Sequence, residues 1–162
     1  MIAPSLPLPL SLPRLRRHWE TLTLVLAGRL GPVIDLGLRL ALGKVFFASA
    51  LTKLADWDAT LYLFQYEYQL PLLPPQLASL LGTATELGMS VLLVAGLATR
   101  CAAAALLMLS LVIEFVVGGA NPAYHAYEHY FWILALGHLL ARGGGPLSCD
   151  HLVGRLLKGS TP

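Results

Sequence analysis

Three long apolar runs constrain the fold of this chain more than any other feature of its sequence. They occupy residues 33–52, 77–97 and 101–117. Each is close to the roughly 20 residues that an α-helix needs to cross the hydrocarbon core of a bilayer. Lipid offers the backbone no hydrogen-bond partner, so a spanning segment must satisfy its own amides. The sequence therefore predicts an integral membrane protein with helical spans.

The composition supports this interpretation and excludes other classes. Charged residues make up 12% of the chain and apolar residues 56%, with a mean hydropathy of +0.68. Soluble domains average about 25% charged residues. The net charge of +2 is small and dispersed along the chain, which argues against binding to nucleic acid. We expect the lipid bilayer to be the first partner of this protein.

The predicted organisation has three parts. Residues 1–32 are expected to form an N-terminal tail, in which 14–31 mix basic and apolar positions. Such a mixture suits a helix lying in the membrane interface, or an ordinary basic flank of the first span. Pro32 is predicted to begin the first helix of a membrane domain over 33–141. Residues 142–162 are predicted to be a cytoplasmic C-terminal tail.

Two further helices complete the predicted fold. The segment 53–76 is too polar to cross a membrane, and its aromatic residues suit the headgroup region. It is predicted to hold a short interfacial helix between spans one and two. A fourth span is expected over 123–141. The fold class is therefore predicted to be all-α, a four-helix transmembrane bundle.

The distribution of basic residues predicts the orientation of the bundle. If both termini lie in the cytoplasm, the inner segments carry eight Lys and Arg residues, and the outer segments carry only Lys53. Cytoplasmic loops of membrane proteins carry an excess of Lys and Arg. The N-terminus and the C-terminus are therefore both predicted to be cytoplasmic.

Isolated charges inside the apolar runs are the first candidate functional residues. An ionised group at bilayer depth costs at least about 2.5–3.5 kcal/mol on insertion scales, so it normally faces a partner, a cavity or a functional site. Asp35 and Arg39 are four residues apart and can pair within one helix. Lys44 and Glu86 fall at similar depths and are predicted to pair, with Arg39 or Lys53 as the alternative partner of Glu86. Such pairs either fix the order of the helices or line a polar pocket.

A second polar cluster is expected at the outer ends of spans three and four. Glu114 lies near the end of its predicted span, and His125 and His129, four residues apart, are expected to share one face of the fourth helix. Two His and one Glu suit a metal ion or proton exchange with a redox ligand; structural hydrogen bonds are the alternative. Glu114 and His129, with the aromatic residues Tyr66 and Tyr68, are predicted to line a pocket for a quinone headgroup.

The C-terminal tail contains a weaker candidate for a metal site. Cys149, Asp150 and His151 are consecutive and could bind a metal ion together with His138. We interpret these four residues as inert parts of the tail and the core, with metal binding as the alternative.

Several short motifs occur in an order typical of one family. They are RLALGKVFFASALTKLADW in the first span, GTATELGMSVLLVAGLATR around Glu86, and GGGPLSCDHL after the fourth span. In these segments the chain resembles the DoxX family of small bacterial and archaeal membrane proteins. YLFQYEYQLPLLPP, with His129 opening the last span, is similar to a branch found beside DUF692-type enzymes and small cysteine-rich copper-binding peptides. The chain departs from the family at Ala50, where Gly is common, and at Cys149, where an apolar residue is usual.

The resemblance implies a function as well as a fold. One branch of the family is similar to the membrane subunit of thiosulfate:quinone oxidoreductase, and another joins redox-defence assemblies. The resemblance implies a quinone-associated redox subunit of the bacterial inner membrane, working with a partner protein or as a homo-oligomer. If the chain is an enzyme, it is then a subunit of a quinone-linked oxidoreductase. The alternative is a non-catalytic membrane partner, or a transporter-like helper, in copper and thiol stress homeostasis.

Overall fold

The computed structural model describes residues 11–158, and every regular element in that range is helical. The main helices are α1 (Ser11–Ala55), α2 (Trp57–Tyr62), α3 (Pro75–Ala95), α4 (Thr99–Leu111), α5 (Tyr127–Arg142) and α6 (Cys149–Lys158). Two π-helical segments continue helices, Leu63–Tyr68 after α2 and Val112–Val117 after α4. Gly118–Ala120 extends the second segment, and Pro122–Tyr124 forms a 3₁₀ turn before α5. The predicted all-α class is confirmed; residues 1–10 and 159–162 of the predicted tails lie outside the described range.

The first helix is longer than the sequence predicted. We expected Pro32 to begin it, but α1 runs through Pro32 without a break. A proline in a helix interior removes one hydrogen bond and crowds the preceding turn, so the sequence favoured a boundary there. At ~1.5 Å per residue, the 45 residues of α1 extend for about 68 Å. This is about twice the thickness of a bilayer core.

Four helices contribute side chains to one apolar core. α1 packs mainly against α3, and α4 packs against both α3 and α5. The buried core residues are Leu42 and Phe46 from α1, Leu93 from α3, Ala102, Ala103 and Leu106 from α4, and Ala135, Leu136 and Leu139 from α5. The alanines on α4 allow close approach of neighbouring backbones, as small residues do in membrane helix packing.

The outer surfaces of these four helices carry many exposed apolar side chains. Large side chains are exposed on each of them, for example Leu40, Leu80, Met108 and Leu134. Within the described range, two helices are long and apolar enough to cross a membrane, Pro75–Ala95 and Thr99–Ala120. Exposed apolar surface on such helices fits contact with lipid tails. The membrane prediction is supported, whereas four spans stay a prediction.

A tight turn joins the two candidate spans. Gly96 has a φ of 69° and Ala98 has a φ of 48°, both in the left-handed region. A β-carbon at Gly96 would collide with the guanidinium of Arg39. Glycine is therefore required there both by the backbone conformation and by the close approach of α1. This turn places α3 and α4 side by side in antiparallel orientation.

Candidate functional site

A cavity of about 370 Å³ lies between α1, α3, α4 and α5, beside the two π-helical segments. This volume falls within the ~300–1,000 Å³ typical of small-molecule sites. Most of the wall is apolar. The polar side chains that line it are Ser49, Lys53, Tyr68, Glu86, Tyr124 and His129. An apolar enclosure with a few converging polar groups is the usual composition of a ligand site.

An ion pair between α1 and α3 forms one polar part of the cavity wall. Nζ of Lys53 donates to both carboxylate oxygens of Glu86, at 2.7 and 2.6 Å, and to the hydroxyl of Ser49 at 2.8 Å. An ammonium has three N–H donors, so these contacts account for all of them. Glu86 is only 3% exposed. Lys53 and Glu86 therefore form a largely dehydrated ion pair at the edge of the cavity, and the hydrogen-bond donors of the ammonium are all used.

The predicted partner of Glu86 needs correction. Lys44 is exposed on α1, and the structure pairs Glu86 with Lys53, one of the two alternatives. Lys44 and Lys53 are nine residues apart, which is about 900° or two and a half turns. They therefore point to opposite sides of α1, and only one can face α3. The depth estimate used only distances along the chain, and such distances carry no information on which lysine faces α3.

A carboxylate between two imidazoles forms the second polar part of the site. Glu114 Oε1 lies 2.7 Å from Nδ1 of His125, and its Oε2 lies 2.7 Å from Nδ1 of His129. The Glu114 side chain is fully buried, whereas that of His125 is 45% exposed and that of His129 11%. Only His129 lines the cavity. Glu114 therefore connects a surface imidazole with a cavity imidazole.

The local backbone explains how these three residues meet. Glu114 belongs to the π-helical segment Val112–Val117, and such segments occur frequently at functional sites. Asn121 caps the following 3₁₀ turn through its side chain, which accepts from the amide of Ala123. The short connection then brings His125 beside Gly118, where a β-carbon would touch the imidazole ring. His129 follows in the first turn of α5.

The four residues predicted to line a quinone pocket are placed differently. Tyr68 and His129 line the cavity, and Glu114 lies directly behind His129. Tyr66 is exposed and packs its ring against Tyr62, with ring centroids 4.8 Å apart. Residues two positions apart in a helical segment point to nearly opposite sides of it. Tyr66 and Tyr68 therefore cannot face the same cavity, and Tyr66 is not part of the wall.

A metal ion bound by Glu114, His125 and His129 stays a prediction. Both Nδ1 atoms approach the carboxylate directly, so the three side chains hydrogen-bond one another and do not converge on a shared point. Within residues 11–158, no three His, Cys, Asp or Glu side chains are grouped as metal ligands would be.

Tyr124, which the sequence did not indicate, joins the predicted Tyr68 in an aromatic wall that bounds the cavity next to α2. The hydroxyl of Tyr124 donates to Glu67 at 2.8 Å, and its ring packs edge-on against Tyr68. This hydrogen bond raises the pKa of Tyr124 to about 12. Burial, followed by the charges of Glu86 and Glu67, raises the pKa of Tyr68. Both phenols therefore stay protonated at neutral pH. No spacing in the sequence links Tyr124 to Glu67, which are 57 residues apart.

Arg39 serves a structural purpose at the opposite end of the helices. It is 1% exposed, and it donates hydrogen bonds to the carbonyl oxygens of Leu93, Val94, Gly144 and Leu147 at 2.8–3.0 Å. The first two carbonyls belong to the last turn of α3, where a positive charge complements the helix dipole. The other two belong to the loop after α5. Arg39 therefore ties this loop to the α3 terminus.

Asp35 does not form the predicted pair with Arg39 inside α1. Its Oδ1 lies 2.8 Å from Nε2 of His138, and its Oδ2 lies 3.5 Å from Nε of Arg142. Asp35 and Arg39 share a face of α1, as their spacing requires, but that face meets other elements. Two partners on α5 for Asp35, and carbonyl groups of α3 and of the loop after α5 for Arg39, therefore replace the intrahelical pair. His138, which the sequence suggested as a weak candidate for a metal ligand, is hydrogen-bonded to Asp35 through Nε2.

Asp150 caps a helix that is distant in sequence. Its two carboxylate oxygens accept from the amides of Ala98 and Thr99, at 2.7 and 2.9 Å, at the start of α4. Ala98 offers no side-chain cap of its own. Burial opposes ionisation of Asp150, but the two amides and the charge of Arg39 outweigh it and hold its pKa below the ordinary value of 3.8.

We expect Asp150→Ala to lower the free energy of unfolding by about 0.5–2 kcal/mol at pH 7, as loss of an N-cap does. Because folding lowers the pKa of Asp150, its contribution is present above the ordinary pKa and is lost as the pH falls through the folded value. Thermal unfolding in detergent should show the difference from wild type shrink below about pH 4. Asp58→Ala, at an exposed carboxylate, is the control. A difference that persists in acid would contradict the capping role.

Comparison with known proteins identifies the family. A family model described as DoxX matches residues 34–119, which is just over half of the chain. The match covers the α1 residues that face the cavity, the α2 segment, α3 and α4, and it ends before α5. No curated protein and no solved structure matches the chain. Together with the apolar candidate spans, the match shows that this chain belongs to the DoxX family of membrane proteins.

Proposed function

We propose that this protein is a quinone-associated redox subunit of the bacterial inner membrane that works with a partner protein. The observation that supports this most directly is the cavity, an apolar enclosure whose polar groups include hydrogen-bond donors and a proton carrier. A quinone has two carbonyl oxygens that require donors and a hydrocarbon tail that requires an apolar surface. The composition of the cavity wall suits both parts.

Three side chains of the wall are suited to a quinone headgroup. The Tyr68 hydroxyl stays protonated and is available as a neutral donor. Nδ1 of His129 is committed to Glu114, which leaves Nε2 as the nitrogen that would give a proton to a ligand. Lys53 adds a positive potential, and two short hydrogen bonds to Glu86 hold the ammonium group of Lys53 in place.

The His125–Glu114–His129 cluster would supply protons. Reduction of a quinone to a quinol consumes two electrons and two protons; in this proposal the partner provides the electrons. His129 would donate to the ligand and recover its proton through Glu114 from His125. The 45% exposure of His125 gives this chain of hydrogen bonds a contact with water. His is suited to the task because its unperturbed pKa of ~6.5 lies close to neutral pH.

The proposal includes four spans with both termini in the cytoplasm. The eight-to-one distribution of Lys and Arg between inner and outer segments supports this orientation. It would place the polar end of the cavity toward the outer leaflet. The Arg39 and Asp150 contacts would then lie at the cytoplasmic end.

Occupation of the cavity by a quinone can be tested with two glycine substitutions on α3. Gly82 lines the cavity, and a β-carbon there would contact the ring of Phe64 at 3.5 Å. Gly88 is exposed, with no atom within 4 Å of an added β-carbon. We expect Gly82→Leu to fill the cavity and weaken binding of a short-chain ubiquinone at least about tenfold, or ~1.4 kcal/mol.

The matched control in this experiment is Gly88→Leu, which should bind the quinone as wild type does. Binding is measured by titration of the purified protein in detergent, and quinone that copurifies is measured by extraction. Equal affinities of the two variants would exclude the cavity as the quinone site. Absence of binding to the wild-type protein would contradict the proposed function as a whole.

A further inference from the structure

The C-terminal helix α6 is attached to the rest of the protein through its first turn. Asp150 accepts from the amides of Ala98 and Thr99, and its own amide donates to the carbonyl oxygen of Gly96 at 2.9 Å. Ser148, just before the helix, is buried. Contacts at both the side chain and the backbone of Asp150 fix the rotation of α6 about its own axis. The faces of the helix therefore have defined directions.

One face of α6 is apolar and has no partner in the described structure. Leu152, Val153 and Leu156 are 58%, 45% and 75% exposed. At about 100° per residue, these three and Cys149 fall within an arc of about 100°, and Asp150 lies about 110° from the centre of that arc. Among the described residues, no other helix packs along α6. The apolar face therefore points to one side of the attachment point, away from the core.

The opposite face of α6 is basic. His151 and Arg155 fall on the far side of the helix from the apolar arc. The sequence of the helix includes one further basic residue, Lys158. The only acidic residue of α6 is Asp150, whose carboxylate is used in the cap of α4. Arg100 and Arg142 are exposed at the same end of the molecule. The surface around α6 therefore carries a positive charge that no acid of this helix neutralises.

The attachment point determines the depth of α6 relative to a membrane. Gly96 and Ala98 belong to the turn between the two candidate spans, Pro75–Ala95 and Thr99–Ala120. A turn between two spanning helices lies at the surface of the bilayer. A helix bonded directly to this turn must begin at the same level. The apolar face of α6 is thus held next to the headgroup region.

We propose that α6 lies in the headgroup layer of an anionic leaflet, with Leu152, Val153 and Leu156 inserted among the acyl chains. A short helix with a strong apolar face, a basic opposite face and low overall hydrophobicity is typical of helices that bind the membrane interface. Basic residues at the surface attract anionic phospholipids. Charge complementarity and the position at the span ends favour lipid over a second copy of the chain. The proposal does not depend on quinone binding.

Spin labels at neighbouring positions of α6 test this proposal in the full-length protein. The two exposed cysteines, Cys101 and Cys149, are first replaced by alanine. A single label is then placed at Leu156 or at Arg155, and the protein is reconstituted in vesicles of phosphatidylglycerol and phosphatidylcholine. We expect the label at 156 to be accessible to oxygen and protected from a water-soluble nickel chelate. The label at 155 should show the reverse.

The lipid dependence provides a second measurement on the same samples. In pure phosphatidylcholine, or with Arg155 and Lys158 both replaced by glutamate, the label at 156 should become at least about tenfold more accessible to the chelate, which corresponds to ~1.4 kcal/mol. A label at 156 that the chelate reaches freely in anionic vesicles would overturn the proposal. Protection from both oxygen and the chelate would overturn it too, because it would indicate a protein contact. Unchanged thermal unfolding of each labelled variant shows that the fold is intact.

Discussion

Lys53→Met is expected to destabilise the protein by about 3–5 kcal/mol, because it removes one member of a buried ion pair. Glu86 is 3% exposed, and the hydrogen bonds it accepts in the described structure both come from Nζ of Lys53. Without that ammonium, the carboxylate must stay charged in an apolar surrounding or take up a proton. Either outcome costs free energy that the folded state does not recover elsewhere.

The double variant Lys53→Met, Glu86→Met distinguishes a broken pair from a general loss of packing. Replacing both members of a buried pair by apolar residues of similar volume is often close to neutral, so the double variant should be much more stable than the single one. Lys44→Met is the matched control, since Lys44 is an exposed lysine of the same helix. Its effect should stay within about 0.5 kcal/mol. Equal losses for Lys44→Met and Lys53→Met, measured by denaturation in detergent, would refute the pairing.

The two lysines also show where inference from the sequence stopped. The apolar runs predicted α3 and α4 because period and length are local properties of the chain. The choice between Lys44 and Lys53 depends on the rotation of α1 against α3, which only tertiary packing determines. A lone charge in an apolar run therefore indicated a buried contact but not its partner.

The outer cluster was easier to predict than the inner contacts. His125, His129 and Glu114 are close in sequence, and that closeness was enough to group them. The predicted reason was wrong in one respect: α5 begins at Tyr127, so His125 lies before the helix and does not share a helix face with His129. Asp150 reaches Ala98 and Thr99 across 52 and 51 residues, and Tyr124 reaches Glu67 across 57. No pattern in one sequence encodes such pairings. Residues that cap or brace distant elements were therefore missed or taken as inert.

The largest functional effect is expected from Glu114→Gln. This change preserves the shape of a side chain that is fully buried and that lies outside the cavity wall. A glutamine cannot carry a proton between His125 and His129. Proton transfer by a positioned side chain typically contributes about 10²–10⁴-fold to a rate. We therefore expect quinone reduction on the protein to slow by at least about 100-fold, with the amount of bound quinone unchanged.

The reduction of bound quinone can be followed by stopped flow with dithionite as the electron source, so that the natural donor is not needed. The rate is divided by the quinone content of each sample, which separates proton delivery from binding. Glu128→Gln is the matched control, because Glu128 is an exposed acid in the first turn of α5, next to His129. It should react as the wild type does. His125→Ala should show an intermediate loss, because water can partly replace a surface imidazole but cannot replace the buried carboxylate. If Glu114→Gln keeps the wild-type rate, the three residues only brace α4 against α5, and protons reach the cavity by another route.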